Sequence, residues 1–452
     1  MGLTIIQKSD ITRLKENPKI AIVLAGGVVS GGAYKVGALK AFNDFLVNRK
    51  ITDFDTYIGL SAGSFIAAPL AGGISPEEMF KSLSGTSSRF TQLRPFDFYK
   101  LNLSEIMGNP LRLAVDMLAF FPDALLGVLA ATPLLGRTLR SSLKDFLKQP
   151  SYFNLEKILK PITKTIFSTR DIPSVLDYIP TGLFENSNLE KYIRKNMKRN
   201  NLTNDFDKLY KMRGKELYMV AVDLDTSERV VFGHDRNNDL TISQAIMAST
   251  ALPGFYKPAR INGRDYIDGG VRRTANIDVA IEAGADLVIC YNPFRPFINR
   301  LEKVVDPDTG ETVFKGDRIS DKGVLSVLNQ VFRTMLHSRL MIGMAKLERD
   351  PNFKGDIILI EPEENDSKFF GMNPLAFWER TKAAQHGYES VKELIENNYM
   401  ILKRIFASYG VEITLQVADE GFRKIRESDY SEERILEVLR GDPDDDELQM
   451  AS

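Results

Sequence analysis

The pentapeptide Gly59-Leu60-Ser61-Ala62-Gly63 constrains this chain more than any other stretch. It follows the apolar segment 56–58 and precedes the small-residue run 65–68, a context that indicates strand, sharp turn and helix. Such a turn strains the serine backbone and exposes its hydroxyl at the edge of a sheet, and the glycines let strand and helix approach closely. The helix N-terminus also offers free N–H groups and a positive dipole end to a developing oxyanion. Ser61 is therefore a candidate nucleophile.

The bulk composition excludes some classes of protein. At 452 residues the chain is long for one core, so one large domain with additions, or two domains, is expected. Lys and Arg number 59 against 60 Asp and Glu, which argues against nucleic acid as the main partner. With one cysteine and three histidines, a cluster of such metal ligands is excluded. The single cysteine, Cys290, lies in an apolar run and is expected to be a buried thiol.

The N-terminal half begins with an alternation of strand and helix. Residues 1–18 are expected to be a polar lead-in without a secretory signal, so a cytoplasmic location is predicted. The apolar run 19–25 predicts a strand buried on both faces, the glycine-rich stretch 26–32 a loop, and the spacing of apolar residues in 33–48 a helix. With the strand that leads into Ser61, these segments form a βαβ unit.

Two later regions each permit two interpretations. The apolar segment 111–136 is interrupted by Pro122 and Pro133 and is too short to span a membrane. It is either a pair of buried helices or an apolar lid over a lipid site. Basic residues cluster between 191 and 215, either as a solvated helix face or as a surface for anionic lipid headgroups.

The rest of the chain continues the alternation and then becomes helical. A hairpin is predicted at 217–232, helices at 242–249 and 277–282, and buried strands before Asp268, at 287–291 and at 356–360.

Ser61 needs a base, because a serine hydroxyl is a poor nucleophile until its proton is removed. None of the three histidines follows a candidate acid on a late loop, so a catalytic triad is not favoured; they are His234, His337 and His386. Asp268 is better placed, since it ends a predicted strand and is followed by Gly269 and Gly270. In a desolvated cleft the pKa of its carboxyl would rise toward that of a useful base.

A serine–aspartate pair also needs strong oxyanion stabilisation. Successive N–H groups of Gly26, Gly27 and Val28 can form an anion-holding concavity, with the amide of Ala62 as a further donor. Taken alone, the glycine loop could equally bind the phosphates of a nucleotide. In that interpretation the aspartate at 53 or 55 would bind the ribose.

Together these motifs resemble the patatin-like phospholipase family. Its serine–aspartate hydrolases have a glycine-rich oxyanion loop, a G-x-S-x-G elbow and a D-G-A/G aspartate, matched here by Gly26 to Gly32, Gly59 to Gly63 and Asp268 to Gly270. The resemblance covers about residues 19–293. The loop departs from the usual G-G-G-x-R/K-G-A-Y, because Val28 replaces the third glycine and Gly31 takes the basic position. Its donors survive this change if the φ angle of Val28 is negative.

The resemblance implies a three-layer α/β/α fold with a mostly parallel central sheet. The expected organisation is a lead-in at 1–18, a hydrolase domain at 19–295 with an apolar helical insertion at about 87–180, a mainly helical region at 296–440, and an acidic disordered tail at 441–452.

The implied activity is acyl-ester hydrolysis of phospholipids or lysophospholipids by a Ser61–Asp268 dyad, at a membrane surface, with no metal or organic cofactor. Protein partners are unknown. The alternatives are an esterase, thioesterase or acyltransferase on another acyl donor, or a nucleotide-binding or scaffolding protein in which Ser61 is only a tight turn.

Overall fold

A computed structural model describes residues 2–150, 154, 157–158, 175–305, 311–373 and 376–441. Residues 101–184 form one compact unit, and the remainder of the described chain forms the other. The strands are β1 Leu3–Gln7, β2 Ile20–Leu24, β3 Thr56–Leu60, β4 Lys100–Leu101, β5 Gly182–Glu185, β6 Glu216–Asp223, β7 Arg229–Phe232, β8 Gly254–Tyr256, β9 Ala259–Ile261, β10 Arg264–Asp268, β11 Leu287–Tyr291, β12 Glu302–Val305, β13 Thr312–Lys315 and β14 Asp356–Ile360. The α-helices are α1 Val28–Phe45, α2 Ala62–Ala71, α3 Pro76–Ser84, α4 Pro95–Phe98, α5 Leu103–Lys148, α6 Ser187–Arg199, α7 Phe206–Arg213, α8 Ile242–Ser249, α9 Ile277–Glu282, α10 Val324–Arg349, α11 Ser367–Gly371, α12 Arg380–Asn397, α13 Tyr399–Ser408, α14 Gln416–Glu427 and α15 Glu432–Arg440.

The larger unit is built on a central sheet with strand order β1-β14-β11-β2-β3-β6-β10-β9, and β7 pairs with β6. The pairs from β14 through β11, β2 and β3 to β6 are parallel. The pairs at both flanks are antiparallel. The expected sheet was mostly parallel, whereas the observed sheet is mixed, because hairpin-type connections add strands at one flank and the N-terminal segment pairs at the other.

Side chains of the central strands alternate between two apolar cores, as the period of two along a strand requires. Ile20, Ile22 and Leu24 pack on one face of the sheet with α1, α2, α8 and α12. Ala21 and Val23 pack on the other face with α9 and α10. Helices therefore cover both faces of the sheet, and the predicted three-layer α/β/α architecture is confirmed.

Both ends of the hydrolase domain differ from the prediction. The expected lead-in contains β1, which pairs antiparallel with β14. β14 itself belongs to the C-terminal region and lies between β1 and β11 in the central sheet. The mainly helical region after 295 therefore contributes a strand to the sheet and lies in the same unit as the Ser61 and Asp268 motifs.

The long helix α12 also ties the C-terminal region to the nucleophile side of the sheet. A Cβ on Gly37 of α1 would lie 1.8 Å from the carbonyl oxygen of Ala384 of α12, so only glycine permits this approach. The crossing holds α1, and with it the loop that precedes α1, against the C-terminal helices.

Several local predictions are confirmed and one is wrong. The hairpin at 217–232, the helices at 242–249 and 277–282, and the strands at 287–291 and 356–360 are present, and Cys290 is buried. α1 begins at Val28, five residues before the predicted start, so Gly31 and Gly32 lie in its first turns.

The smaller unit contains α5, which runs from Leu103 to Lys148 without the interruptions predicted at the two prolines. The side chains at 117–135 lie outside the described residues, so they do not test whether the apolar segment is buried. Across the described chain, no helix combines the length and apolar character needed to cross a membrane. The acidic tail from residue 442 is also outside the described residues.

Candidate active site

Ser61 occupies a strained turn between β3 and α2. Its backbone has φ 53° and ψ −130°, a left-handed conformation that costs a non-glycine residue on the order of 1–3 kcal/mol. Strand and helix pass so closely here that a Cβ on Gly63 would lie 2.0 Å from the carbonyl oxygen of Leu24 in β2. The motif glycines thus let α2 pack against the sheet while the Ser61 side chain projects from the turn.

Neighbouring serines hold this turn in place. The N–H of Ser64 and its hydroxyl both donate to the carbonyl oxygen of Ser61, at 2.8 and 2.6 Å. The N–H of Ser61 donates to the hydroxyl of Ser249 at 2.9 Å, and that hydroxyl donates to the Val220 carbonyl oxygen of β6 at 2.7 Å. Ser249 therefore positions Ser61, the candidate nucleophile, a role that the sequence did not reveal, since nothing local links residue 249 to residue 61.

Asp268 ends β10 and is 3% exposed. Its carboxylate accepts a hydrogen bond from the Gly270 N–H at 2.8 Å, and the side chain of Ser61 lies close enough to lower its pKa. Burial raises the pKa of Asp268 to about 6, although the Ser61 side chain, the Gly270 N–H and the charge of Lys35 act to lower it. The structure thus brings the two predicted catalytic side chains together and leaves the carboxylate basic enough to accept a proton near neutral pH.

The glycine loop is shorter than the sequence suggested. Only Ala25, Gly26 and Gly27 separate β2 from α1, and Gly27 has φ 148°. Val28 has φ 56°, so the condition of a negative φ at this position is not met. A left-handed conformation of a β-branched residue costs about 1–2 kcal/mol, which the surrounding contacts must offset.

The loop nevertheless lies beside the nucleophile. A Cβ on Gly26 would lie 3.1 Å from the Cβ of Ser61. Among the described residues, no acceptor lies within hydrogen-bond distance of the N–H groups of Gly26 or Gly27. Ala62 opens α2, directly after the nucleophile. Of the predicted oxyanion donors, Gly26 and Ala62 therefore lie next to Ser61, and Val28 has an unfavourable backbone conformation.

Lys35 is a charged residue of the site that sequence reasoning missed. It lies on α1 with 0% exposure, and its Nζ donates to the carbonyl oxygens of Ala25 and Gly26, the latter at 2.8 Å. Burial lowers the pKa of Lys35 to about 7, and the negative charge of Asp268 opposes that change. A lysine on an otherwise apolar helix face directly after a glycine loop is the signal that could have identified it.

An apolar cavity of about 140 Å³ opens on Ser61. Its walls come from α1, α2, α3, α6, α8 and residues near the start of α12, and they are mostly aliphatic and aromatic. Arg380 is the one charged side chain among the described lining residues, and it donates to the carbonyl oxygens of Leu83 and Phe377. Such a cavity suits a hydrocarbon chain better than a nucleotide.

The three histidines have other partners. His234 stacks on Tyr210, His337 lies 3.3 Å from Glu361, and His386 lies 2.7 Å from Asp366. Within the described ranges, no three Asp, Glu, His or Cys side chains are grouped so that they could hold a metal ion.

Comparisons with known proteins agree with these features. The family model for patatin-like phospholipase matches residues 22–281. A probable lipid hydrolase of Invertebrate iridescent virus 6 is 22% identical over 263 residues, which is 58% of this chain and 63% of the viral protein, so the match spans less than two thirds of that relative.

Similar solved structures include VipD from Legionella pneumophila (16% identity, TM-score 0.32, 88% of this chain and 70% of that one). They also include human GIVD cytosolic phospholipase A2 in complex with methyl gamma-linolenyl fluorophosphonate (10% identity, TM-score 0.30, 86% and 60%). A third is ExoU from Pseudomonas aeruginosa in complex with SpcU (15% identity, TM-score 0.26, 99% and 75%).

Proposed function

This chain belongs to the patatin-like phospholipase family, and on that premise we propose that it is a serine acyl-ester hydrolase acting on phospholipids or lysophospholipids. The observation that carries the proposal is that Ser61, in its strained turn at the wall of an apolar cavity, lies close enough to the buried carboxyl of Asp268 to lower its pKa. The cavity would hold the acyl chain, and the reacting carbonyl would lie at Ser61. A nucleotide-binding role is less compatible with walls of this composition.

In the proposed reaction the Ser61 oxygen attacks the acyl carbonyl carbon while its proton passes to the Asp268 carboxylate. The N–H groups of Gly26 and Gly27, with that of Ala62, would hold the negative charge that develops on the carbonyl oxygen. The tetrahedral intermediate collapses, the bond to the alcohol oxygen breaks, and the proton on Asp268 passes to that oxygen. Water then attacks the acyl-serine, again giving its proton to Asp268, and the bond to the Ser61 oxygen breaks as that proton passes from Asp268 to it, which releases the fatty acid and regenerates Ser61.

The pKa of Asp268 sets the pH dependence of this reaction. With a pKa of about 6, the carboxyl is ionised at neutral pH and available as the base. We expect kcat/KM to rise with pH through about 6, because the protonated acid cannot accept the serine proton.

A fluorophosphonate probe tests the nucleophile. We expect wild-type protein to be labelled and Ser61→Ala to be unlabelled. Ser82→Ala is the matched control, because Ser82 also lines the cavity but hydrogen-bonds to Tyr192 and the Thr91 carbonyl oxygen. Equal labelling of wild type and Ser61→Ala, or no labelling of wild type, would contradict the hydrolase proposal and favour the scaffolding alternative.

The substrate class requires a separate measurement. Purified protein is incubated with phospholipid, lysophospholipid, a simple fatty-acyl ester and an acyl thioester of the same chain length, and released fatty acid is quantified. Fastest release from the first two supports the proposal. Fastest release from the simple ester or the thioester would instead favour the esterase or thioesterase alternative.

We also propose that the protein binds membranes peripherally through α6. Lys191, Lys195 and Lys198 of this helix are exposed, so they are available to anionic headgroups. Charge reversal at these three positions should weaken binding to anionic liposomes. Unchanged binding would contradict this part of the proposal.

A further inference from the structure

Lys35 is a buried lysine that the proposed chemistry does not use directly, and it is charged below a pH of about 7 because burial lowers its pKa. It is fully inaccessible to solvent, and no carboxylate lies within ion-pair distance of its Nζ among the described residues. Its hydrogen bonds go to two consecutive carbonyl oxygens, those of Ala25 and Gly26. Burying a charge without a directly paired counterion is unfavourable, and such a group persists where backbone dipoles and a nearby charge compensate it.

The two carbonyl contacts determine the direction of two amides. A trans peptide is planar, and its C=O and N–H bonds point to opposite sides. The Ala25 carbonyl shares a peptide with the Gly26 N–H, and the Gly26 carbonyl shares one with the Gly27 N–H. Lys35, by holding both oxygens, directs both N–H groups away from itself. These are the two loop amides without an acceptor in the described residues.

The loop has little else to hold it in this orientation. The N–H of Ala25 donates to the carbonyl oxygen of Tyr291 in β11 at 3.0 Å, which extends the pairing of β2 with β11 by one residue. Beyond Ala25 the chain passes through Gly27 at φ 148° and Val28 at φ 56° before α1 becomes regular. Glycine permits many backbone conformations, so an anchor is needed to select one of them.

We propose that Lys35 is a positioning residue that orients the N–H groups of Gly26 and Gly27 as oxyanion donors and places a positive charge behind them. This inference rests on the proposed hydrolase function. The same charge is close enough to Asp268 to act on it, and it favours the ionised carboxylate that accepts the serine proton. Lys35 is not among the cavity-lining residues, so it acts through the loop and Asp268 and not on the acyl chain.

Substitution of Lys35 separates this role from general packing. Lys35→Met removes the charge and both hydrogen bonds at similar volume. We expect kcat and the rate of fluorophosphonate labelling to fall by about 100-fold, as for loss of an oxyanion donor, with KM for a fatty-acyl ester within about twofold. The acidic limb of the pH–rate profile should also move to higher pH, because the charge that lowers the pKa of Asp268 is gone.

Lys40→Met is the matched control. Lys40 lies on the same helix, is also buried, and pairs with Asp44 at 2.5 Å and Glu77 at 3.3 Å. Its loss should lower thermal stability while leaving the labelling rate of folded protein and the pH profile unchanged. Lys35→Gln keeps a donor but loses the charge. Lys35→Gln should move the acidic limb of the pH–rate profile to higher pH with a smaller loss of rate. If Lys35→Met does not fold, Lys35→Gln is used for the test.

The outcomes distinguish the two proposals. If wild type is not labelled, the hydrolase proposal fails and the role of Lys35 fails with it. If wild type is labelled and Lys35→Met or Lys35→Gln matches it in rate and pH profile, only the role of Lys35 is overturned. A rate loss with an unmoved acidic limb and a raised KM would likewise overturn it, because that pattern indicates a purely structural lysine.

Discussion

Replacing Asp268 by asparagine should abolish turnover and at the same time stabilise the folded protein. Burial raises the pKa of this carboxyl from its ordinary 3.8 to about 6. At about 1.4 kcal/mol per pKa unit, the ionised carboxylate destabilises the folded state by about 3 kcal/mol. Asparagine is neutral at every pH, and its side-chain oxygen can still accept the N–H of Gly270. The substitution therefore removes the penalty and retains a hydrogen bond.

The sign of the pH dependence follows from the raised pKa. The folded protein binds this proton more tightly than the unfolded chain, so the carboxyl's contribution to stability falls as pH rises. The loss develops between about pH 4 and about pH 6 and is complete above that range. We expect the advantage of Asp268→Asn to be about 3 kcal/mol at about pH 8 and about half of that at about pH 5.

Urea-unfolding midpoints and Tm, measured at both pH values, test this expectation. Asp265→Asn on the same strand is the matched control. Arg260 holds the pKa of Asp265 below its ordinary value through hydrogen bonds of 2.6 and 2.8 Å. Asp265→Asn removes the ion pair with Arg260 and should lower stability. Asp265→Asn and Asp268→Asn should therefore change stability in opposite directions.

Two results would refute the reasoning. One is an Asp268→Asn protein that is no more stable than wild type at about pH 8. The other is a stability difference that stays the same at the two pH values, because a desolvated carboxyl that titrates near pH 6 must make it change.

Two further predictions concern packing. Gly37→Ala should destabilise the fold by about 3 kcal/mol or more, because the new Cβ would collide with the Ala384 carbonyl oxygen. Gly343→Ala should instead raise stability by about 0.5–1 kcal/mol, because this position is helical and no atom lies near the new Cβ. Urea unfolding of both variants checks this, and an equal effect would contradict the close helix crossing. Val36→Phe, which narrows the cavity, should raise KM for long acyl esters and leave short esters unaffected in a chain-length series. A uniform change across chain lengths would count against the cavity as the acyl site.

Part of this fold could be predicted because some of its strands and turns are specified by residues that are close together in the sequence. Strands β2, β3 and β11 are buried at every position, and burial on both faces requires the continuous apolar runs that the sequence displays. Ser61 and Asp268 were identified for a related reason. Asp268 ends a strand and Ser61 directly follows one, and each has glycines within two residues that allow a sharp turn.

Other features depend on partners far along the chain. The segment Leu3–Gln7 resembles a polar lead-in until it pairs with Asp356–Ile360, some 350 residues later. The glycines at 31 and 32 predicted a loop, yet both lie in α1, where packing outweighs their weak helix propensity.

The sequence by itself determined the α/β architecture, the strained turn at Ser61 and the strand end at Asp268, because apolar periodicity and turn residues record burial and backbone conformation locally. Only the tertiary structure decided how the glycine loop is held. The left-handed angle of Val28, the Ser249 hydroxyl bonded to the Ser61 N–H and the carbonyl contacts of Lys35 arise where separate segments meet. The sequence does not distinguish a buried lysine from one at the surface. The difference arises in the fold, which places the carbonyl dipoles of Ala25 and Gly26 next to the amino group of Lys35.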